Sequence, residues 1–253
     1  MRKIYDGFMF FNELELLEIR LNELDGLIEK FILVESPVTH SGKPKPLYYQ
    51  DNADLFKRFH DHIIHVIYNP PETQNSWDRE RGQRDAIRQG VPELENGDFV
   101  IVSDVDEIPS AESVRNYAPE MGVAAFNQSL YYFWLNTYSC GWGGSKAIPY
   151  HEYIKGESLS NLRMRIDQFV PCDRPGWHFS YLGGKDRVLE KLESYAHVEM
   201  NSHENRRNTD YWVDNAILWN GQQLRICPID HTFPDYLVQN EKKFSHLIKQ
   251  HGH

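Results

Sequence analysis

Two aspartates separated by one residue, Asp104 and Asp106, follow the nearly all-apolar run Phe99 to Ser103. If that run is a strand, alternate residues point to one side and both carboxylates can reach one ion. Hard divalent cations such as Mn2+ or Mg2+ take oxygen ligands, commonly one or two protein carboxylates completed by substrate phosphates and water. A metal held this way suits a nucleotide diphosphate, whose departure it assists as a Lewis acid on the developing negative charge. An Asp-x-Asp pair by itself is a weak signal, because acidic residues followed by a proline, here Glu107 and Pro109, also make ordinary solvated turns.

The surrounding elements give the pair its weight. Lys3 to Phe11 reads as a buried strand, Asn12 as the cap of a helix with Leu14, Leu17, Leu21 and Leu24 at helical spacing, and Phe31 to Val34 as a second strand. Strand, helix and strand within about 35 residues make a βαβ unit, so the sheet starts parallel. Glu35 to Lys45 is rich in turn formers and lies just past a strand's carboxyl end, the edge where open α/β sheets bind ligands.

His62 to Tyr68 is a third strand, Trp77 to Gly90 a charged helix with Arg79, Arg81, Arg84 and Arg88, and Phe99 to Ser103 the fourth strand. Further on, Val123 to Asn136 predicts a strand or strand pair, Gly141 to Gly144 a tight turn, and Gly176 to Leu182 a strand ending in Gly183-Gly184. A helix from Lys185 to about His197, a strand from Gln223 to Ile229 and a last helix near Lys242 to Gln250 complete the reading. The fold class is α/β with a mostly parallel central sheet. A phosphatase of the haloacid dehalogenase type also sets Asp-x-Asp after an apolar strand, but on its first strand and with a paired acidic motif downstream. Here the pair comes fourth and no Asp-Asp occurs.

Composition narrows the classes. The 253 residues carry 27 basic and 37 acidic side chains, a net charge of -10, which disfavours a nucleic-acid binder that relies on Lys and Arg. The chain has 14 Tyr, 13 Phe and 6 Trp, many between Tyr117 and Tyr195, where flat faces serve either the core or sugar rings. Cys140, Cys172 and Cys227 are odd in number and scattered, so neither a disulfide framework nor a zinc site is indicated. There is no basic stretch leading into an apolar leader and no run near the ~20 apolar residues of a membrane span, so the expectation is a cytoplasmic protein with no transmembrane segment.

Several stretches, in order, resemble glycosyltransferase family 17. They are Tyr5 to Leu14 with Leu17 to Leu21, Val34-Glu35-Ser36, Thr39 to Lys45, Gln83-Arg84-Asp85, Ser103 to Pro109 and Gly176 to Gly184. The resemblance implies a GT-A (Rossmann-like) fold, a UDP-sugar donor carrying N-acetylglucosamine, a divalent metal, a glycan acceptor and inversion at the anomeric carbon. It also implies one catalytic unit over 1–253, with a nucleotide-binding half in 1–110 and an acceptor-binding half in 111–253.

Roles follow from that likeness. Asp104 and Asp106 hold the metal, and His178 completes the metal shell or touches the diphosphate, with His197 and His231 competing. Glu35 meets the ribose or uracil, and Arg84 with Asp85 stand beside the nucleotide, since an arginine fork suits phosphate. Inverting transfer needs a base for the acceptor hydroxyl. Asp186, in the first turn of the helix after Gly183-Gly184, is the first choice, with Asp167, Asp173 and Asp214 as alternatives. Trp134 and the Gly141 to Gly144 turn are candidates for the acceptor pocket. The competing reading is an inactive carbohydrate- or nucleotide-binding relative, which the intact Asp104-Val105-Asp106 disfavours.

Overall fold

The structure, a computed structural model, describes residues 2–72 and 75–250. Strand β1 (Ile4–Met9), helix α1 (Leu14–Glu23) and strand β2 (Lys30–Glu35) form the expected βαβ unit, with β1 and β2 parallel and Gly7 opposite Ile32. Leu17 and Leu21 of α1, with Leu24 just past its end, pack onto the sheet with Phe8, Phe10 and Phe31. The predicted asparagine cap is not used. Glu13 occupies the cap position, its carboxylate accepts from the N–H groups of Phe11 and Asn12, and Asn12 Nδ2 donates to Glu190 instead.

Helix α2 (Tyr48–Asn52) and a 3-10 stretch lead to β3 (Ile63–Ile67), parallel to β2. The charged helix is two pieces, α3 (Ser76–Asp85) and α4 (Ile87–Gly90), with Asn75 capping the first by accepting from the Asp78 N–H. Then β4 (Phe99–Asp104) pairs in parallel with β1, and Phe99 to Val102 are wholly buried, as an apolar run covered on both faces should be. After β5 (Glu107–Ile108) and α5 (Ala111–Asn116), the strand or strand pair expected over 123–136 is a pair, β6 (Ala124–Phe126) and β7 (Gln128–Tyr132), separated at Asn127 and joined to different sheets.

The remainder runs β8 (Thr137–Trp142), β9 (Lys146–Pro149), α6 (Tyr150–Tyr153), α7 (Leu159–Met164), β10 (Gln168–Val170), β11 (Gly176–Ser180), α8 (Gly184–Ser194), α9 (His203–Asn215), β12 (Arg225–Ile226) and α10 (Asp235–Gln239). One sheet has seven strands in the order β10-β6-β9-β4-β1-β2-β3, the other five in the order β12-β8-β7-β11-β5. The larger sheet is mixed: four of its six pairings are parallel, as expected, and β9 alone runs antiparallel, between β4 and β6. That four-residue strand, Lys-Ala-Ile-Pro, carries no alternation by which the sequence would reveal it. Two other predictions change and one helix was missed. The strand expected over 223–229 shrinks to β12, the last helix to a 3-10 turn at Ser245–Leu247, and α9 went unread because only Thr209 and Val213 of its thirteen residues are buried.

At the edge of the second sheet β11 and β5 approach one another closely. Gly176 begins β11, and a Cβ there would run into the backbone of Ile108, Pro109 and Ser110. Glycine permits that approach, and the resulting β11–β5 register sets His178 opposite Glu107.

Candidate active site

Asp104 ends β4 and Asp106 lies in the turn before β5, so the acidic segment sits at the carboxyl ends of parallel β1 and β4. Its backbone is held by Arg20, a wholly buried arginine on the apolar face of α1. Arg20 Nε and Nη2 bind both oxygens of Asp6 in β1 at 2.8 and 2.6 Å, and Nη2 also reaches Ser103 Oγ at 2.6 Å. Nη1 donates to the carbonyls of Asp104 at 3.1 Å and Glu107 at 2.8 Å. Every donor of this buried cation is thus matched, which is what allows it to be buried at all.

The three carboxylates of the segment each meet a cation. Asp104 accepts from Arg84 at 3.0 Å and Arg163 at 3.3 Å, Glu107 takes both Arg163 nitrogens at 2.7 Å, and Asp106 accepts from Lys191 at 2.9 Å with His178 Nε2 3.6 Å away. Burial works against ionisation at all three sites, yet the facing cations outweigh it. Asp104 and Asp106 are held below the ordinary carboxylate range, by Arg163 and Arg84 and by Lys191 respectively, and Glu107 is lowered to about 2 by Arg163. Burial likewise opposes the charge on Lys191, and Asp106 more than compensates. All three acids are therefore ionised at neutral pH.

Asp104, Asp106, His178 and Lys191 line a cavity of about 460 Å3. The β1–α1 turn contributes Phe11 and Glu13, the loop after β2 contributes Thr39, His40 and Lys45, and α3 contributes Glu80 and Gln83. Burial raises the Glu13 carboxyl above its usual range, with Lys191 partly opposing. His178 Nδ1 is buried and has no hydrogen-bond partner among the described residues. Also among the described residues, no group of three His, Cys, Asp or Glu side chains is arranged to hold a metal ion by itself.

The sequence profile of glycosyltransferase family 17 matches residues 1–246. The chain belongs to that family. It is 24% identical over 296 aligned positions to the beta-1,4-mannosyl-glycoprotein 4-beta-N-acetylglucosaminyltransferase of Rattus norvegicus, and 23% identical over 295 to the Homo sapiens protein of the same name. Each alignment covers 98% of this chain and 55% of the relative, so the chain spans about half the length of these curated relatives. No helix among the described residues is long and apolar enough to cross a membrane.

The residues singled out in this family 17 sequence fall into two groups. Asp104, Asp106 and His178 come together on the cavity wall, with Arg84 behind Asp104 and also paired to Glu80. Glu35 and Asp85 are turned elsewhere. Glu35 is wholly buried, accepting from the Tyr49 N–H and facing His65 and Lys45, while Asp85 accepts from Ser158 Oγ and the Ser160 N–H, which ties down the start of the helix carrying Arg163. Neither lines the cavity; Glu35 meets it only through its ion pair with Lys45. Asp186 is exposed on α8 and does not line the cavity, nor do Asp167, Asp173 or Asp214. His197 and Trp142 line it; His231 and Trp134 do not.

Sequence reasoning missed Arg20, Glu13, Arg163 and Lys191. For two of them a signal existed. Arg20 and Lys191 lie on the apolar faces of their helices, three residues after Leu17 and Val188, where a lone cation needs an acid to meet.

Proposed function

We propose that the chain is an inverting glycosyltransferase of GT-A architecture that moves a sugar, N-acetylglucosamine by likeness to its relatives, from a UDP-sugar to a glycan hydroxyl. In this reading residues 1–110 carry most of the donor side and 111–253 the acceptor side, with His178 and Lys191 reaching back to the acidic segment. The observation that carries it is the pair of ionised carboxylates, Asp104 and Asp106, on one wall of a large cavity at the carboxyl ends of parallel strands.

Two anionic oxygen donors with an imidazole beside them fit a hard divalent cation, Mn2+ or Mg2+, whose remaining ligands come from a bound diphosphate. Such an ion supplies Lewis-acid stabilisation to the leaving diphosphate. The protein's own groups do the rest. Arg84 and Arg163 keep Asp104 ionised and fix its direction, Arg20 holds the backbone beneath, and Lys191 offers ammonium donors to phosphate oxygens.

The acceptor hydroxyl needs a base inside the cavity. Among the carboxyls that line it, Asp104 and Asp106 are committed to cations and Glu80 to Arg84, which leaves Glu13. Burial raises its pKa, which makes it a stronger proton acceptor than an ordinary carboxylate. Asp186 is the comparison residue for this role.

The test is a transfer assay with a panel of UDP-sugars. Metal-dependent release of UDP in the presence of an oligosaccharide, with a β-linked product from an α-linked donor by NMR, is the expected result. No release from any nucleotide sugar, with or without metal, overturns the proposal.

A further inference from the structure

A second wall of the cavity is built from rings that the donor chemistry leaves unused. Trp77, in the first turn of α3, meets His197 edge-on with centroids 4.5 Å apart, and His197 meets Tyr195 at 5.5 Å. Tyr195 meets Tyr181 at 6.0 Å, and Tyr181 in turn contacts Trp219 at 6.0 Å and stacks on Tyr132 at 6.1 Å and 26°. All six rings line the one cavity. They come from separate parts of the chain, α3, the segment after α8, the ends of β11 and β7, and the turn before β12, so no local pattern accounts for their alignment.

The inner rings belong to the core cluster around Val188 and Leu192, but two features mark the face that the row turns to the cavity. Its end members Trp77 and Trp219 are 38% and 40% exposed, although indoles gain most from full burial. Tyr181 holds a left-handed φ of 53°, a costly conformation for a residue with a Cβ, two residues before Gly183. That backbone turns the Tyr181 ring onto the wall, with Lys191 Nζ 5.2 Å from its centroid. The row therefore starts beside the ammonium that meets Asp106 and runs outward to the exposed indoles.

We propose that this row is the acceptor subsite, and that it grips a neutral oligosaccharide of at least two pyranose units. An outer unit stacks on the exposed indole of Trp219 or Trp77, and the unit bearing the attacking hydroxyl lies further in, toward Lys191 and Asp106. Aromatic faces bind the apolar face of a pyranose, and phenol and indole groups at the edges serve its hydroxyls. Lys191, the cation beside the row, is already paired with Asp106 and His197 with Glu199, so among the described residues the row offers no unpaired cation to a polyanionic glycan and suits a neutral one. The inference rests on the glycosyltransferase reading.

The experiment titrates the full chain, without nucleotide, with chitotriose and with mannotriose, following tryptophan fluorescence. One of the two quenches saturably in the wild type, and Trp219→Ala weakens that binding by about tenfold or more. Trp219→Phe restores most of it, and UDP affinity in the presence of Mn2+ is unchanged in both variants. In the transfer assay Trp219→Ala raises the acceptor KM and leaves acceptor-free hydrolysis of the UDP-sugar alone. If neither sugar binds the wild type, or if Trp219→Ala weakens UDP and leaves the oligosaccharide unaffected, the row is not an acceptor subsite. Failure of the glycosyltransferase reading looks different: oligosaccharide binding persists while the wild type binds no UDP.

Discussion

The Lys191 ammonium stands 2.9 Å from Asp106 Oδ2, on the wall of the cavity, with the Asp106 side chain buried beneath it. A cation of the protein thus already compensates the carboxylate that a divalent ion would use. Lys191→Met is expected to tighten Mn2+ binding in the absence of nucleotide and to weaken UDP binding. Each change is on the order of tenfold, the scale of one charged hydrogen bond of roughly 1.5–3 kcal/mol. Titration calorimetry of the metal and of UDP separately checks both directions. Loss of Mn2+ affinity in Lys191→Met contradicts this use of the pair.

Glu13 and Asp186 separate in kinetics. Glu13→Gln is expected to lower kcat by about 10²- to 10⁴-fold, the usual contribution of a positioned base, while keeping UDP affinity. Asp186→Asn transfers at about the wild-type rate, because that side chain is exposed and off the cavity wall. Since burial raises the Glu13 pKa above 4.5, its basic form disappears as pH falls through that raised value. The acid limb of the kcat/KM profile accordingly lies above the ordinary carboxylate range. A limb below it, or an inactive Asp186→Asn, removes Glu13 from the role.

Arg20 is a positioning residue whose loss registers first in stability. Arg20→Met strands Asp6 as a buried unpaired charge, a change that costs about 3–5 kcal/mol. Urea unfolding measures it, and adding Asp6→Asn to Arg20→Met recovers part of the loss.

Glu107 makes the fold sensitive to acid. Its folded pKa of about 2 lies below the unfolded value of 4.5, chiefly because Arg163 outweighs the cost of burial. A depressed carboxylate pKa gives stability that is complete above the unfolded value and is lost as pH falls toward the folded one. Wild-type stability therefore drops between about pH 4.5 and 2 more steeply than that of Glu107→Gln, as thermal melts across that window record.

The first half of the chain was legible because its elements are local. Alternating strand and helix periods in Ile4 to Val34 and the apolar run before Asp104 each follow from neighbours in sequence. The antiparallel β9 and the second sheet were not, since a four-residue Lys-Ala-Ile-Pro strand and the split at Asn127 acquire their form only from partners far along the chain. The site divides the same way. Asp104 and Asp106 were singled out by the apolar run before them, and both line the cavity, although Asp106 lies in the turn after the strand and not on it. Lys191 meets Asp106 across 85 positions, and Arg163 reaches Glu107 across 56, distances over which a single sequence carries no pairing signal. Glu35 and Asp85 show the converse: acids at the right ends of elements, turned by packing toward structural partners.

The central claim is that Asp104 and Asp106 hold a divalent metal on a nucleotide diphosphate. Calorimetric titration of UDP into the wild type and into Asp106→Asn, each with and without Mn2+, tests it most directly. The account predicts wild-type binding that depends on Mn2+ and is weakened by about tenfold or more in Asp106→Asn. Equal UDP affinity in all four titrations, or no binding in any, would contradict it.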